Sequence, residues 1–353
     1  MSIEPTLSLT PPERIAEIHA APGFGRHFTD HMVTIQWTPD NGWHSARLGP
    51  YGPMSLDPAT RAFHYGETVF EGFKAYMQPD GSVATFRPEV NATRFQRSAA
   101  RLGLPQLPVE DFVAAADALV RQDAAWVPGG KGTSLYLRPF MMATEVGLGI
   151  AAVGRVTFFI IASPAGAYFR KGRVAIWLTE TYSRAAPGGT GAAKCGGNYA
   201  GSLLAQKEAE AHGCDQVVFL DAIERRWIEE LGGMNLWFVF ADGTLATPSL
   251  TGTILEGVTR DAVKTLASDM GHTVKERPIE VDEWRDGIQA GRITEVFACG
   301  TAAVISSIGT LRWADGEVST PGPALVADKI RDALLGVQQG RLPDAHRWLH
   351  AVT

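Results

Sequence analysis

The chain has 353 residues, 45% of them hydrophobic and 20% charged, which is typical of a globular protein long enough to form two domains. Its formal net charge of −6 gives no electrostatic reason to expect nucleic acid or an anionic membrane as a partner. No apolar run reaches the ~18 residues of a transmembrane helix, and the N-terminal sequence lacks the apolar block of a signal peptide.

In the first half, periodicity and helix-ending residues predict two helices, over residues 91–102 and 110–126, each followed by Gly and Pro. Residues 134–142 and 155–163 have the composition of buried strands, and the second of these is almost wholly apolar. The segment 166–177 begins with small residues that interrupt both neighbouring patterns, so we expect an interdomain linker there.

In the second half, helices are expected over residues 198–212, 258–270 and 324–338, and strands over residues 216–220, 226–229, 235–240 and 294–299. Strands and helices mixed in both halves favour two α/β or α+β domains with a cleft between them. We expect a small N-terminal domain of residues 1–165, the linker 166–177, and a large C-terminal domain of residues 178–353.

Lys194 has an unusual sequence environment. It lies in GGTGAAKCGGNYAG, among glycines and alanines and just before a predicted helix. Small neighbours leave room around a long amine for a planar ligand, and a shielded amine can act as a nucleophile. The alternative interpretation of this segment is a glycine-rich surface turn.

Two further segments can supply groups that bind anions. LEGVTR opens a predicted helix, so the backbone amides of Gly257, Val258 and Thr259 point out of its N-terminus. GTAA, residues 300–303, follows a buried strand and can offer amides and a hydroxyl. An ordinary helix cap and an ordinary strand end explain these segments equally well. Together with a lysine they match pyridoxal phosphate, which needs an amine for its Schiff base and donors for its phosphate.

The same segments resemble the branched-chain amino acid aminotransferases, which are fold-type IV pyridoxal-phosphate enzymes. The motifs follow the family's order along the chain: FHYGETVFEG (63–72), RFQRSAARLGLP (94–105), YLRP (136–139), GAYF (166–169), KCGGNYAGSL (194–203), EELGGMNLWF (229–238), LEGVTRDAV (255–263) and CGTAA (299–303). One short motif would carry little weight, but the ordered set is typical of the family. The resemblance implies a two-domain α/β (α+β) fold, with the cofactor in the cleft between the domains and its lysine in the C-terminal domain.

The resemblance implies the cofactor-binding residues one by one. Lys194 matches the catalytic lysine of the Schiff base. Arg94 matches the arginine that pairs with the phosphate, where a planar guanidinium suits a bidentate contact, and Tyr199 matches the tyrosine that hydrogen-bonds the phenolic oxygen. Glu230 matches the glutamate beside the pyridine nitrogen; its spacing to the following GGMN favours it over Glu229, which alternation places on the other face of a strand. The phosphate site is completed by Gly257, Val258, Thr259 and Thr301.

On the substrate side, the resemblance implies a pocket formed by Tyr65, Phe70, Tyr136, Arg138 and Tyr168. Thr301 and the amides of Ala302 and Ala303 would meet the substrate α-carboxylate. Alternation along a strand places the Tyr and the Arg of YLRP on one face. The resemblance implies that Tyr136 lies near the α-carboxylate and Arg138 near the distal carboxylate of glutamate. Taken singly, these residues are equally expected as core aromatics and a strand arginine. The family completes its pocket across a dimer interface, so we expect a homodimer in which Tyr65 or its neighbours serve the other subunit.

The chain departs from the family's pattern in two places. Some members carry a Cys-x-x-Cys pair at the positions of Ala303 and Ser306, so redox control through that pair is not expected here. Glu256 stands where many members have Pro, which affects loop geometry and not the chemistry. The cysteines have no disulfide or metal spacing, which indicates reduced thiols in a cytoplasmic protein without a metal site: Cys195, Cys214 and Cys299.

The implied reaction is a ping-pong transamination of leucine, isoleucine or valine with 2-oxoglutarate, giving branched-chain 2-oxo acids and L-glutamate. Lys194 would act in it as general base and acid. The nearest alternatives share the fold, namely D-amino acid aminotransferase, R-selective amine aminotransferase and aminodeoxychorismate lyase; YLRP and GAYF favour the branched-chain interpretation. An alternative of another class is a cofactor-free binding protein on the same scaffold, against which the intact Lys194, Tyr199 and Glu230 argue.

Overall fold

A computed structural model describes residues 1–4, 8–166 and 172–353. The strands are β1 (Ser2–Ile3), β2 (His31–Thr38), β3 (Gly42–Pro50), β4 (Thr68–Phe70), β5 (Phe73–Met77), β6 (Val83–Phe86), β7 (Ser134–Ala143), β8 (Val156–Ala165), β9 (Arg173–Leu178), β10 (Gln216–Leu220), β11 (Ile228–Leu231), β12 (Asn235–Phe240), β13 (Leu245–Thr247), β14 (Val274–Glu276), β15 (Ile293–Gly300), β16 (Val304–Trp313), β17 (Gly316–Ser319) and β18 (Leu349–Ala351). Contacts divide the chain into a first unit, Met1–Tyr168 with Ala193–Gly196 and Gly336–Thr353, and a second unit, Phe169–Ala192 with Gly197–Leu335.

The helices are α1 (Pro12–Ala20), α2 (Arg61–Tyr65), α3 (Pro88–Arg101), α4 (Val109–Gln122), α5 (Gly196–Ala200), α6 (Leu203–Ala211), α7 (Val258–Asp269), α8 (Val281–Gln289) and α9 (Leu325–Gln338), with a turn of 3-10 helix over Ala124–Trp126. None of the helices in the described part of the chain is long and apolar enough to cross a membrane.

The first unit is built on a sheet of order β1-β3-β2-β8-β7-β5-β6-β18, with β4 paired to β7. The sheet is antiparallel except at β1 and β3. Helices α3 and α4 cover one face with apolar residues at helical spacing, and the rings of Phe95 and Phe112 lie 5.5 Å apart. Phe158 of β8 meets Phe95 at the same centroid distance of 5.5 Å. This aromatic core fixes α3 against the strands, which matters because α3 carries Arg94.

The strands and helices predicted in the first half are confirmed. β7 and β8 pair in continuous register from Ser134–Ala165 to Ala143–Val156. β8 is almost wholly apolar because it lies inside the sheet, between β2 and β7, and nearly all of its residues are buried. The predicted helices correspond to α3 and to α4 with the 3-10 turn that follows it.

The second unit is built on a mixed sheet of order β11-β10-β9-β16-β15-β12-β13-β14, with β17 paired to β16. β9 runs parallel to both β10 and β16, and β13 runs parallel to β14. Predicted elements correspond to α7, α9, β10, β11, β12 and β15, while the helix expected over residues 198–212 is divided into α5 and α6. Trp284 of α8 packs edge-on against Phe238 of β12, with ring centroids 5.2 Å apart.

The structure differs from the expected domain layout in three places. The expected linker overlaps β9, a strand of the second sheet. Ala193–Gly196, which carries Lys194, groups with the first unit and not with the C-terminal domain, because Phe70 N–H bonds the Lys194 carbonyl and Val69 forms a bridge with Cys195. Gly336–Thr353 also belongs to the first unit, since β18 pairs with β6.

Candidate active site

Lys194 is held in the first unit by hydrogen bonds of its backbone. Its carbonyl accepts a hydrogen bond from Phe70 N at 3.0 Å, and its own N–H donates to the Ser98 hydroxyl at 2.9 Å. The side chain is half-buried, and Nζ lies 4.8 Å from the centroid of the Phe70 ring. The structure therefore holds this amine over an aromatic face that shields one side of it from water.

Arg94 makes a two-point ion pair with Glu71. Nε lies 2.7 Å from Oε1 and Nη2 lies 2.8 Å from Oε2, and both side chains are buried. Ser98, one helical turn after Arg94, donates to the Arg94 carbonyl at 2.9 Å and accepts the Lys194 N–H. The guanidinium edge formed by Nε and Nη2 thus holds Glu71.

Tyr136 and Arg138 lie on one face of β7, as alternation predicts. Arg138 Nη2 donates to Tyr136 Oη at 3.1 Å, and its guanidinium carbon lies 5.0 Å from the centroid of Phe70. A Cβ at Gly72 would lie 1.9 Å from Tyr136 Oη, so only glycine fits there. Among the described residues, the buried Nε of Arg138 has no hydrogen-bond partner, which leaves this side chain with capacity to bind a carboxylate.

The first-unit cluster consists of Phe70, Tyr136, Arg138 and Lys194. Tyr65 ends α2 and is 40% exposed. Its hydroxyl donates to the Leu148 carbonyl at 2.5 Å. The structure thus places Tyr65 on an exposed surface beside the loop of residues 144–153. Tyr168 lies outside the described residues.

Glu230, the second-unit carboxylate predicted for the site, is almost fully buried, at 1% exposure. Its Oε1 lies 2.8 Å from Nη2 of Arg184, which is also buried. The same oxygen accepts a hydrogen bond from Leu255 N at 2.9 Å. Arg184 therefore balances the charge of Glu230 and, with the Leu255 amide, fixes the orientation of the carboxylate.

Glu229 faces the opposite side of β11, as the alternation of strand residues predicts. Thr253 Oγ1 donates a short hydrogen bond to Glu229 Oε1. Burial raises the pKa of Glu229, because desolvation outweighs that hydrogen bond and the charge of Arg184. The two neighbouring glutamates are therefore buried in different surroundings, and of the two only Glu230 has an ion-pair partner at bonding distance among the described residues.

Asn235 connects Glu230 to the start of α7. Its Nδ2 donates to the Leu255 carbonyl at 3.0 Å and lies 3.5 Å from Glu230 Oε2. A Cβ at Gly257 would lie 2.1 Å from Asn235 Oδ1, so this position requires glycine. Gly257 caps α7, whose first residues are Val258 and Thr259. The first amides of a helix have no partner within it, so this end of α7 can bind an anion.

A tight hairpin between β15 and β16 forms the next part of the site. Gly300 pairs with Val304 across it, and Cys299 pairs with Asn235 of β12. Val304 has a φ of +61°, a left-handed conformation that is costly for a β-branched residue. The tip of this hairpin consists of Thr301, Ala302 and Ala303. The sequence predicted a strand ending here, but it did not predict the immediate return through β16.

Tyr199 lies beside Gly233. Its Cε1 would be 3.6 Å from a Cβ placed on Gly233, a residue between Glu230 and Asn235 in the chain. The preceding Asn198 exchanges two hydrogen bonds with Thr190, of 2.7 and 2.8 Å, which hold the start of α5 in place. The second-unit cluster is therefore Tyr199, Glu230, Asn235, residues 257–259 and the hairpin tip.

Sequence reasoning missed the residues that hold the predicted ones in place. Ser98 follows Arg94 by four residues on a helix, and this spacing is a signal that could have identified it. Glu71 adjoins Phe70, but nothing local indicates that it pairs with Arg94. Arg184 is far from Glu230 in the sequence, so its role depends on the tertiary structure.

Comparison with known proteins adds independent findings. Residues 68–310 match the model of the amino-transferase class IV family. The chain is 57% identical over 360 residues to a probable branched-chain-amino-acid aminotransferase of Streptomyces coelicolor, an alignment that covers 99% of each protein. It is 54% identical over 340 residues to the branched-chain-amino-acid aminotransferase of Mycolicibacterium smegmatis, covering 94% of this chain and 92% of that protein.

Solved structures give the same result. The branched-chain aminotransferase of Thermoproteus uzoniensis with norvaline superimposes with a TM-score of 0.76 at 27% identity, covering 91% of this chain and 100% of that one. The PLP-form (holo-form) of the branched-chain amino acid aminotransferase from Thermobaculum terrenum has a TM-score of 0.73 at 26% identity, covering 90% of this chain and 98% of that one.

Proposed function

Because the chain belongs to the class IV aminotransferases, and among them to the branched-chain-amino-acid aminotransferases, we propose that it transfers amino groups between branched-chain L-amino acids and 2-oxoglutarate with pyridoxal phosphate bound at Lys194. Its mixed α/β architecture is that of fold-type IV. The observation that carries the proposal is the first-unit cluster, in which the Lys194 amine and the Arg138 guanidinium lie 4.8 and 5.0 Å from the Phe70 ring centroid. A nucleophilic amine and a group that binds carboxylates thus flank the same apolar ring.

The donor set fits the groups of pyridoxal phosphate. Lys194 offers an amine to the aldehyde carbon, and Glu230 offers a carboxylate to the pyridine nitrogen. The start of α7 offers amides to the phosphate, and Thr301 offers a hydroxyl. The Thermobaculum terrenum relative is described as a PLP-form, which supports the same cofactor here. When bound, pyridoxal phosphate supplies an electron sink for the pair of electrons left on the substrate α-carbon.

In this proposal Arg94 does not bind the phosphate through its Nε–Nη2 edge. Glu71 holds its Nε and Nη2 at 2.7 and 2.8 Å. We therefore propose that Arg94 contacts the phosphate while Glu71 orients the guanidinium. Through the hydroxyl of Ser98, the same helix also positions the backbone of Lys194.

The chain's own residues perform the proton transfers. Lys194 Nζ would take the proton from the substrate α-carbon and redeliver it at the cofactor's C4′, as general base and acid. Glu230 would keep a proton on the cofactor's pyridine nitrogen. Arg184 and Leu255 N hold the Glu230 carboxylate in one orientation. Tyr199 donates to the phenolic oxygen of the cofactor.

Substrate recognition requires a pocket that accepts both an aliphatic side chain and a carboxylate. Phe70 and Tyr136 supply apolar surface, and Phe24 packs edge-on against Tyr136 with ring centroids 4.9 Å apart. Arg138 supplies the positive charge for the distal carboxylate of glutamate. We assign the α-carboxylate to the hairpin tip formed by Thr301, Ala302 and Ala303.

We also propose that the protein is a homodimer, because the first unit exposes a patch of large apolar side chains. Ile150 is 85% exposed and Leu148 is 66% exposed. Tyr65 bonds the Leu148 carbonyl, so α2 and this loop form one surface. The patch consists of Phe63, Tyr65, Val146, Leu148 and Ile150. Contiguous exposed apolar surface of this kind is typical of protein interfaces. We expect sedimentation analysis to give a dimer, and Ile150→Glu to shift it toward the monomer.

A cytoplasmic location is the third part of the proposal. The cysteines are free and buried in the structure: Cys195, Cys214 and Cys299. Free thiols are typical of a reducing compartment. Localisation of a tagged chain in cells tests this directly.

The test of the function is a substrate panel with 2-oxoglutarate as acceptor. We expect turnover of L-leucine, L-isoleucine and L-valine and none of D-alanine, which separates this activity from that of a D-amino acid aminotransferase. Borohydride should fix the cofactor to Lys194, and Lys194→Ala should lose both the fixation and the activity. Lys207→Ala, an exposed lysine of α6, is the matched control. Fixation to another lysine, or the absence of a cofactor absorbance band, would refute the proposal.

A further inference from the structure

The second unit contains a cavity of about 300 Å³ on the Glu229 side of β11. Its walls are largely apolar and include Trp227, Ile228, Pro248 and Ile254. The volume is that of a site for a small molecule. Glu230, on the other face of the same strand, does not line it.

Two carboxyl groups line the cavity, and in one of them both oxygens accept hydrogen bonds from the backbone. Asp221 accepts backbone hydrogen bonds from Ile223 and Glu224 through Oδ2, at 3.1 and 2.6 Å. It accepts two more from Arg226 and Trp227 through Oδ1, at 3.0 and 2.9 Å. These bonds fix the loop of residues 221–227 over the cavity, so this wall has a defined conformation.

In the other carboxyl group, that of Glu229, only one oxygen accepts a hydrogen bond from the described residues. Glu229 is 5% exposed, and Thr253 occupies its Oε1. Among the residues that the structure describes, its buried Oε2 has no hydrogen-bond partner. A buried carboxylate oxygen without a donor is costly. The terminal torsion of a glutamate is soft, so the carboxyl group can turn this oxygen toward a ligand.

The charges around the cavity also favour a cation. Arg184 pairs with Glu230 through Nη2 at 2.8 Å and donates through Nη1 to the Thr253 carbonyl at 3.1 Å. Among the described residues Arg184 pairs with Glu230 and not with Glu229, so the charge of Glu229 lacks an ion-pair partner of its own. Among the described residues that line the cavity there is no lysine, arginine or histidine, so no basic side chain of the lining can pair with an anionic group.

We propose that this cavity is a second ligand site, which binds a small apolar primary ammonium ion whose N–H groups meet Glu229 and whose hydrocarbon part packs on Trp227, Ile228 and Ile254. The described lining has no basic side chain to pair with the carboxylate of an amino acid or a 2-oxo acid, so the ligand class proposed here differs from that of the transamination substrates. Thr253 and Arg184 connect Glu229 to Glu230. Any effect of the ligand on catalysis would rest on the proposed role of Glu230. Binding of the ligand does not depend on that role, so the test measures binding.

The probe is amantadine, a compact hydrocarbon cage with one ammonium group on a carbon that carries no hydrogen, so it cannot be transaminated. Titration calorimetry on the holoenzyme compares it with adamantanol, which is neutral, and with adamantane carboxylate, which is anionic. We expect amantadine to bind more tightly than adamantanol, and adamantane carboxylate not to bind. A crystal structure of the complex should place the ammonium within hydrogen-bond distance of Glu229.

Glu229→Gln keeps the shape of the side chain and removes its charge, and it should weaken amantadine binding roughly tenfold or more. Glu224→Gln, an exposed residue of the loop over the cavity, makes the same change of net charge and should leave the affinity unchanged. Ser249→Phe fills the cavity while leaving Glu229 itself unchanged, and it should abolish binding even if Glu229→Gln does not fold. Equal affinity for the three compounds, undiminished binding to Glu229→Gln or Ser249→Phe, or a probe located elsewhere would overturn the proposal.

Discussion

Replacing Arg138 by methionine should separate the two half-reactions of the enzyme. Methionine retains much of the length and apolar volume of the side chain but has no charge and no donors. In the structure the guanidinium lies against Phe70 and donates to Tyr136 Oη at 3.1 Å. Among the described residues its buried Nε lacks a partner, so we expect the guanidinium to donate a hydrogen bond to the distal carboxylate of glutamate.

The size of the effect follows from the contacts that are lost. Loss of the contact with the Phe70 ring, of about 0.5–1 kcal/mol, affects both half-reactions by roughly 2- to 5-fold. A charge-assisted hydrogen bond to the distal carboxylate contributes about 1.5–3 kcal/mol, or roughly 10- to 150-fold in the specificity constant. Only glutamate has this carboxylate, so this second factor should appear in the glutamate half-reaction alone.

Single-turnover measurement of each half-reaction, followed through the absorbance of the bound cofactor, gives the two factors separately. Arg138→Lys, which keeps a positive charge over Phe70, should recover part of the glutamate rate and is the conservative control. Equal losses with leucine and glutamate would show that Arg138 is structural and would refute this role.

Three further predictions test other parts of the structure. Glu230→Gln should lower kcat far more than Glu229→Gln, and it should destabilise the protein by about 3–5 kcal/mol because it leaves Arg184 buried without its ion-pair partner; equal effects on kcat would show that the register of β11 is wrong. Val304→Gly should lower the free energy of unfolding by about 1 kcal/mol less than Val304→Ala does, because both lose the buried valine side chain and only glycine relieves the φ of +61°, and urea denaturation that ranks the two variants the other way would contradict this. Burial lowers the pKa of Lys74 from 10.5 to about 8, so the folded protein binds fewer protons than the unfolded chain between these values and its stability should rise with pH there. Lys74→Met should be more stable below pH 8, by a margin on the order of 3 kcal/mol, and should lack this rise; parallel stability curves for the two proteins would contradict it.

Local sequence determined many of the secondary-structure elements. β7 and α7 were predictable because apolar spacing and helix-ending residues are read within a few positions of the chain. The alternation of Glu229 and Glu230 and the shared face of Tyr136 and Arg138 were predictable for the same reason, since a strand alternates its side chains. The family and the candidate cofactor lysine also followed from short ordered motifs.

Tertiary structure decided which residues meet. Arg94 pairs with Glu71, and Glu230 with Arg184, across stretches of chain that no local pattern connects. Lys194 belongs to the first unit because its backbone bonds Phe70 and Ser98, although its position in the sequence favours the C-terminal half. A buried charge needs a partner in space, and the sequence does not specify that partner until the sheets have formed.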